Sequence, residues 1–381
     1  MALTNCRLGQ FIELCNDTNA DLSYGIDDVR GVNNLKQLMS TKADLNGRDL
    51  SKFQIVKPGE FVFNHRTSRN GSKFSIAYND GNKPVICTED YVVFKLTEKG
   101  KEKLCARWLY IFFNRPEFDR YVITNSWGSS TEFYNWEDIT SVELNLPPLS
   151  IQQKYVDIYN SMLANQQSYE RGLEDLKLVC DAYIEDLRRN MPCEAIGKYI
   201  SEYNQRNENG LTLESVRGIA TSKEFIDTKA NMDGVSLDNY KVVEPGMIAF
   251  ISDTSRRGDK ISLSLNQDNK PYLVSSISTV IKTDDTKLLP NYLFLFFSRN
   301  EFNRYARYNS WGSARETFSL EDMCEVEIPV PDIKVQEAIT QIHFAYSERK
   351  SINETLKSQI KNICPILIKG SIEEAEKVKE T

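Results

Sequence analysis

Two stretches of the chain carry apolar side chains at steps of three and four residues over many helical turns. The first follows Pro148 and runs to Asn190, and the second follows Pro331. Such spacing places the apolar side chains on one narrow face of a helix, which suits packing against another helix. The sequence therefore predicts two long helices, 149–190 and 333–381, that pack antiparallel on each other. The apolar positions are Ile151, Tyr155, Ile158, Met162, Tyr169, Leu176, Val179, Tyr183 and Leu187 in the first helix, and Val335, Ile339, Ile342, Tyr346, Leu356, Ile360 and Ile363 in the second.

The alternative arrangement is that each long helix packs on its own globular domain. The narrowness of the apolar stripe favours the paired helices. The charged residues after Gly370 are expected to fray, as charged chain ends commonly do.

The chain also repeats itself. The segment 125–129, Asn-Ser-Trp-Gly-Ser, returns unchanged at 309–313, and the neighbouring 117–121 resembles 301–305. Both pairs lie 184 residues apart, and earlier segments match at an offset of 187 residues. So many matches at nearly one offset indicate an internal duplication.

Each half is predicted to form one globular domain followed by one long helix. The Lys-Pro-Gly turn at 57–59 lies between two apolar segments that predict strands, and 104–113 predicts a helix. The predicted fold is α+β, with two duplicated mixed α/β domains separated by an antiparallel coiled coil of two long helices. The predicted segments are domain 1–148, helix 149–190, domain 191–332 and helix 333–381.

Composition limits the classes of protein. The 381 residues are 40% hydrophobic, no apolar run is long enough to cross a bilayer, and the eight cysteines form no CxxC pair. We therefore expect a cytoplasmic protein with no membrane partner. The net charge of −7 opposes nucleic-acid binding, because phosphate contacts need a basic surface. Global charge, however, says little about one face of an elongated molecule.

The sequence gives little support for an active site. It contains neither a GxxxxGK[ST] phosphate loop nor the Pro-Pro-aromatic motif of methyltransferases that act on base amines, and its two histidines are not repeated. Two adjacent acids do repeat, Glu137-Asp138 and Glu321-Asp322, but acids in this position more often cap helices than catalyse. We therefore predict a non-catalytic chain with no metal site and no bound cofactor.

The first pair of repeated polar loops covers 67–73 and 254–260. Both copies keep Thr-Ser-Arg and Gly-x-Lys, whose hydroxyl, guanidinium and ammonium groups suit contacts to phosphate or to guanine edges. A solvated hairpin tip is the alternative interpretation. The candidate DNA-binding residues here are Arg66, Thr67, Ser68, Arg69, Asn70 and Lys73 in the first half, and Thr254, Ser255, Arg256, Arg257 and Lys260 in the second.

The second pair of repeated loops covers 125–132 and 309–316. Glycine permits a close backbone approach, and serine can reach phosphate or base edges. Trp127 and Trp311 are interpreted as half-buried anchors of these loops rather than as base-stacking platforms. The halves differ where Arg315 replaces threonine, so they are expected to differ in what they read. The candidate DNA-binding residues are Ser126, Gly128 and Ser129, and Ser310, Gly312, Ser313 and Arg315.

Over its full length the chain resembles the specificity subunit of Type I restriction–modification systems. The Leu-Pro-Pro-Leu-x-x-Gln phrase at 146–152 follows a Gly-Ser loop and enters the long helix, as at the family's junction. The segment 57–64 is similar to the family's recognition domains. Two departures are the replacement of the second junction proline by Asp332 and the loose copy at 247–250.

The resemblance implies that 1–148 and 191–332 are target-recognition domains, each reading one half of a split duplex DNA target. It also implies two methyltransferase subunits that use S-adenosylmethionine, and restriction/translocase subunits that use ATP and Mg. The long helices would then set the number of base pairs between the two half-sites. A helix of about 40 residues is roughly 60 Å long, and two readers on one face of the duplex need centres about 34–36 Å apart. Partner subunits would supply much of the basic surface that encloses the DNA.

Other interpretations stay open. A close one is the specificity subunit of a Type IIB-like restriction enzyme, in which methylation and cleavage share one partner polypeptide. From a different class, a two-headed scaffold could bind protein or glycan through the same loops. An autonomous methyltransferase or nuclease is disfavoured by the missing cofactor motifs.

Overall fold

The computed structural model describes residues 3–33, 35–41, 44–45, 47–67, 71, 73–129, 131–208, 210–228, 230–254, 260–313 and 315–380. The chain divides into two compact units. The first unit comprises 1–169 together with 352–381, and the second comprises 170–351. Each unit therefore contains one globular part and a segment of both long helices.

The globular part of the first unit is mixed α+β. Its strands are β1 (Thr4–Arg7), β2 (Ile12–Cys15), β3 (Arg30–Val32), β4 (Leu38–Ser40), β5 (Gln54–Val56), β6 (Phe61–Asn64), β7 (Ile76–Tyr78), β8 (Val85–Cys87), β9 (Tyr91–Leu96) and β10 (Glu143–Leu146). Its helices are α1 (Glu98–Lys101), α2 (Ala106–Phe113), α3 (Pro116–Thr124) and α4 (Trp136–Thr140). An antiparallel sheet has the order β2-β9-β6-β7, and the remaining strands pair as β1-β10, β3-β4 and β5-β8.

The first long helix, α5, spans Leu149–Asn190, and the globular part of the second unit follows it. The strands there are β11 (Cys193–Ala195), β12 (Ile200–Glu202), β13 (Arg217–Ile219), β14 (Phe225–Asp227), β15 (Lys241–Val243), β16 (Ile248–Ile251), β17 (Leu263–Leu265), β18 (Tyr272–Val274), β19 (Ser278–Thr283) and β20 (Glu327–Pro329). The helices are α6 (Pro290–Ser298), α7 (Asn300–Tyr308), α8 (Leu320–Cys324) and the second long helix α9 (Ile333–Glu380). The sheet order β12-β19-β16-β17 repeats that of the first unit. The predicted α+β fold with an internal duplication is confirmed.

Aromatic side chains fill the core between each four-stranded sheet and the helices that follow it. In the first unit, Phe61 and Phe94 stack with ring centroids 5.0 Å apart. Helices α2 and α6 are buried in these cores, as nearly uninterrupted apolar sequences require. The amphipathic helices α3 and α7 come directly after them. The core thereby fixes where the loops after α3 and α7 begin.

The long helices pack against each other within each unit, and their order is antiparallel. In the first unit, Lys154 binds Glu374 at 2.8 Å, and the buried side chains of Gln166 and Asn353 share a hydrogen bond of 2.9 Å. In the second unit, Gly172 lies directly against the side chain of Arg349. The predicted antiparallel pairing of the helices is confirmed. None of the described helices combines the length and the apolar character that crossing a bilayer requires.

The long helices also pack on the globular part of each unit. The two predicted arrangements, helix on helix and helix on globular domain, therefore occur together. Val156 and Tyr159 belong to the first core, and Ile184 belongs to the second. The buried face is consequently shifted from the predicted stripe. The predicted interior positions Ile158, Val179 and Tyr183 were wrong, because these side chains are exposed. A face shared between a helix and a domain does not follow strict heptad spacing.

The end of α9 does not fray, contrary to the prediction for the residues after Gly370. Helix α9 continues to Glu380. Ser371 and Ala375 are fully buried, and the hydroxyl of Ser371 accepts a hydrogen bond of 3.1 Å from the indole of Trp108. The charged sequence is held because one of its faces packs on the first unit.

A buried glutamine fixes the start of each long helix. The side chain of Gln152 accepts a hydrogen bond from the backbone N–H of Cys105 at 2.8 Å and donates to the carbonyls of Lys103 at 2.8 Å and Pro147 at 2.7 Å. In the second unit, Gln336 accepts from the N–H of Leu289 at 2.9 Å and donates to the carbonyls of Lys287 and Pro331, both at 2.8 Å. Both side chains are fully buried. One buried side chain therefore satisfies three backbone groups and joins the helix to the loop before α2 or α6.

A lysine is also buried at the same repeat position in each unit, as Lys36 and Lys223. The ammonium of Lys36 donates to the carbonyl of Phe113 at 2.5 Å and pairs with the carboxylate of Asp119 at 2.6 Å. Burial nevertheless lowers the pKa of Lys36, and the charge of Asp119 only partly opposes this effect.

The second unit lacks the corresponding carboxylate, because Asn303 occupies the repeat position of Asp119. The amine of Lys223 donates to the carbonyl of Ile261 at 2.9 Å. Burial lowers the pKa of Lys223 from 10.5 to about 7, and the charge of Lys260 adds to the shift. The two copies thus keep the buried lysine but differ in whether a carboxylate pairs with it.

We predict that Gln152→Leu lowers the free energy of unfolding by about 3 kcal/mol, because three backbone groups lose the hydrogen-bond partner that a buried side chain supplies. Urea unfolding followed by tryptophan fluorescence measures this, since Trp108, Trp127 and Trp136 all lie in the first unit. The matched control is Gln153→Leu, whose side chain is exposed and donates only to Asp157 at 2.7 Å. Equal losses in the two variants would contradict the role of Gln152.

We also predict that Asn303→Asp stabilises the second unit by about 1 kcal/mol at neutral pH, because a carboxylate favours the charged form of Lys223. In the unsubstituted chain, the folded state binds fewer protons than the unfolded state between pH 7 and pH 10.5, so this group's contribution to stability rises with pH across that window. Asn303→Asp should flatten this rise, as measured by urea unfolding across the window.

The reciprocal control is Asp119→Asn, which should destabilise the first unit by about 3 kcal/mol, because it leaves Lys36 buried without its counter-ion. A pH dependence that is the same with and without Asn303→Asp would show that Lys223 does not titrate in this window.

Candidate nucleic-acid interface

The two repeated loops that the sequence singled out meet in the first unit. The N–H and the hydroxyl of Thr67 both donate to the carbonyl of Glu132, at 3.0 and 3.2 Å. The N–H of Tyr134 donates to the carbonyl of His65 at 2.9 Å. Within the second loop, Trp127 and Phe133 exchange backbone hydrogen bonds of 3.0 and 2.9 Å. The segments 65–67 and 126–134 thus form a small ladder of paired backbone.

The second unit contains the same ladder. The N–H and hydroxyl of Thr254 donate to the carbonyl of Glu316 at 3.0 and 3.1 Å. Trp311 and Thr317 exchange backbone hydrogen bonds of 3.1 and 3.0 Å, and the N–H of Phe318 donates to the carbonyl of Ser252 at 2.9 Å. Thr67 and Thr254 are buried, so within each ladder they connect the two loops.

Two of the candidate serines have a structural partner. The hydroxyl of Ser126 donates to the carbonyl of Val122 at 2.7 Å, and that of Ser310 donates to the carbonyl of Ala306 at 2.6 Å. These bonds satisfy carbonyls at the ends of α3 and α7, which helix termini otherwise leave unpaired. Ser129 and Ser313, in contrast, are exposed.

Gly128 and Gly312 are required by the tight turn of the loop. Their φ angles are +150° and +144°. A Cβ atom at either position would overlap the carbonyl oxygen of Thr131 or Arg315, respectively. The close approach that the glycines permit is therefore an approach to their own chain, and it fixes the path of the loop.

The tryptophans are not half-buried anchors, and that interpretation was wrong. Trp127 is 73% exposed and Trp311 is 70% exposed. The backbone ladder, the serine hydroxyls and the glycine turn hold the loop, so the indoles are not needed to anchor it. No pattern within the loop sequence shows this, because it depends on pairing with a segment about 60 residues away.

The charges around the ladder differ between the units. In the first unit, Arg66 pairs with Asp90 at 3.0 Å. In the second, Asp253 occupies the repeat position of Arg66, while Arg307 pairs with Glu316. Arg315 is exposed in the second unit, where the first unit has threonine. The two copies therefore share a framework but present different charges.

One histidine lies beside this surface. The rings of His65 and Phe133 contact edge to face, with centroids 5.2 Å apart. Burial, and secondarily the charge of Arg66, lowers the pKa of His65, so its imidazole is neutral at pH 7.

The other candidate DNA-binding residues include two lysines, one in each unit. Lys73 lies close enough to Lys361 to lower the pKa of that lysine, and Lys260 is exposed. The DNA-contact role of every candidate residue stays a prediction, as does the assignment of 1–148 and 191–332 as recognition domains. The predicted contacts Ser68, Arg69, Asn70, Ser255, Arg256 and Arg257 lie outside the described residues.

The repeated acids have a structural role, as their sequence position indicated. The carboxylate of Asp138 accepts a hydrogen bond from the N–H of Asn135 at 2.7 Å, and that of Asp322 accepts from the N–H of Ser319 at 2.8 Å. Both acids thereby cap α4 and α8. Within the described residues there is no group of three or more His, Cys, Asp or Glu that could hold a metal ion.

Comparisons with known proteins agree with the repeated architecture. Residues 193–362 match the family model of the Type I restriction modification DNA specificity domain. The whole chain is similar in fold to the S subunit of the Type I restriction-modification system from M. genitalium, with a TM-score of 0.61 and 12% identity over 97% of this chain and 96% of that chain. No curated protein matches the sequence.

Two further solved chains are less similar. A chain of a type I R-M system, solved in work on complex assembly and conformational transition, has a TM-score of 0.47 and 14% identity over 97% of both chains. The HsdS subunit from Thermoanaerobacter tengcongensis has a TM-score of 0.38 and 13% identity over 97% of this chain and 96% of that chain. The family match and the first of the three structures confirm the resemblance that the junction phrase and the repeats indicated.

We predict that Gly128→Ala loosens the ladder of the first unit, because the added Cβ overlaps a carbonyl at a φ that favours glycine. Strain of about 1–3 kcal/mol should speed hydrogen exchange at the amides of Trp127 and Phe133 by about tenfold or more. Gly25→Ala is the control, since nothing lies within 4 Å of a Cβ at that position. Unchanged exchange in Gly128→Ala would show that the turn tolerates a side chain.

Proposed function

With a Type I specificity domain in residues 193–362 and the fold of a Type I specificity subunit over the whole chain, we propose that this protein is the DNA specificity subunit of a Type I restriction–modification complex. Each unit reads one half of a split duplex target. The chain supplies recognition, and the complex supplies the chemistry.

The observation that carries the proposal is that one chain builds the same two-loop surface twice. Each ladder joins the residues after β6 or β16 to the loop after α3 or α7. A protein that reads two half-sites needs two such surfaces on a rigid scaffold. The difference between an arginine at 66 and an aspartate at 253 supports half-sites of different base sequence, because arginine bonds to guanine and a carboxylate accepts from cytosine.

The long helices have a spacer role in this proposal. They enter and leave the two globular parts, and their length sets the number of base pairs between the half-sites. Two methyltransferase subunits dock on the chain and use S-adenosylmethionine, and restriction/translocase subunits use ATP and Mg. The net charge of −7 fits a chain whose partners supply much of the basic surface around DNA.

The test begins with single-molecule methylome sequencing of the host, which identifies the methylated sequence. Duplexes with that sequence intact, or altered in one half, are then bound to the chain in complex with its methyltransferase subunits. Arg315→Thr, which introduces the residue of the first unit, should weaken binding about tenfold and reduce discrimination in one half only, because a base-edge contact contributes about 1–3 kcal/mol. Arg66→Ala should act on the other half.

Arg171→Ala is the control for loss of charge, since Arg171 is exposed on α5. Wild-type binding that is indifferent to changes in both halves would refute the proposed function. If both halves matter but neither arginine variant changes the discrimination, other residues of the loops carry the reading.

A further inference from the structure

The backbone ladder aligns three side chains across each unit. In the first unit, Arg66 and Trp127 both pair with Phe133, from opposite sides. Side chains of directly opposed residues project to the same side of paired backbone. The burial pattern agrees, because these three residues are partly or largely exposed while their neighbours Thr67 and Tyr134 are buried. The row Arg66–Phe133–Trp127 therefore faces solvent.

The second unit has the same row with two different members. Asp253 and Trp311 both pair with Thr317. The adjacent Thr254 and Phe318 are buried, so this row also faces outward. Of the three positions, only the one at the tryptophan end carries the same residue in both units.

The backbone that carries each exposed indole is restrained on both sides. The backbone at Trp127 is fixed by two hydrogen bonds to Phe133, by the Ser126 hydroxyl on one side and by the Gly128 turn on the other. Trp311 has the equivalent restraints. An exposed aromatic side chain on a rigid backbone loses little conformational entropy when it binds.

We infer that Trp127 and Trp311 are DNA-contact residues, each laying its indole against the sugars of the duplex backbone independently of sequence. The inference rests on the proposed function and assigns different roles to the residues of each row. The tryptophan supplies the same contact in both half-sites, whereas Arg66 and Asp253 supply what differs.

Two observations favour DNA over a protein partner. The indoles share their loops with the exposed Ser129 and Ser313, whose hydroxyls suit phosphate contacts. In addition, the charge at the opposite end of the row changes sign between units while the tryptophan stays. Duplex DNA matches this combination, because its sugars are common to all sequences whereas its base edges vary.

The test uses the full-length chain in complex with its methyltransferase subunits and a fluorescein-labelled duplex of mixed sequence at low salt, so that it measures contacts independent of sequence. Trp127→Ala and Trp311→Ala should each weaken binding about tenfold, because each removes a large aromatic contact area. The Phe variants should restore most of the affinity. Leu178→Ala is the control, because it removes an exposed apolar side chain (69% exposed) from α5.

Acrylamide quenching of tryptophan fluorescence gives an independent readout. Duplex should protect the emission of Trp127 and Trp311, while the fully buried Trp108 is little quenched in either state. Wild-type binding with unchanged quenching and undiminished affinity in the Ala variants would overturn the inference and leave the proposed function standing. Ala variants that keep duplex binding but lose the methyltransferase subunits would assign the indoles to a protein contact instead. A wild-type complex that binds neither this duplex nor the methylated sequence would refute the proposed function as well.

Discussion

Each unit depends on how one buried glutamine joins a long helix to its globular part. Gln152 and Gln336 have no exposed surface, and each satisfies one backbone N–H and two carbonyls. The first turn of a helix leaves backbone groups without intrahelical partners, and this side chain completes the hydrogen bonding at the junction. With the helix start fixed, its apolar face lies on the aromatic core, and the other long helix adds to the same core.

The candidate surface depends in turn on that core. Helices α2 and α6 are buried on nearly every side, and the next helix in each unit ends where the Asn-Ser-Trp-Gly-Ser loop begins. Hydrogen bonds from Ser126 and Ser310 to the helix ends, together with the ladder to Thr67 and Thr254, hold this loop. Rigid support with outward-facing side chains that differ between copies is the arrangement expected of a recognition site.

The duplication shows which features can change without loss of the fold. Backbone pairing, the glutamine junction and the buried lysine are kept in both units. The counter-ion of the lysine is not kept, since Asp119 has Asn303 at its repeat position, and burial then lowers the pKa of Lys223 to about 7. Surface charges differ as well, from Arg66 to Asp253. The fold therefore keeps the buried lysine in both units although its charged partner is present in only one.

The sequence by itself determined the duplication, the α+β class and the two long helices, because apolar periodicity and repeated motifs are local or are read directly by comparing the two halves. Tertiary structure alone decided which helix face is buried, so that Ile158 and Tyr183 are exposed while Ile184 is not. It also decided that Trp127 faces solvent, since its orientation follows from pairing with Phe133 and the position of Arg66 across the ladder. Side-chain orientation in paired backbone depends on the partner strand, and a single sequence does not specify that partner.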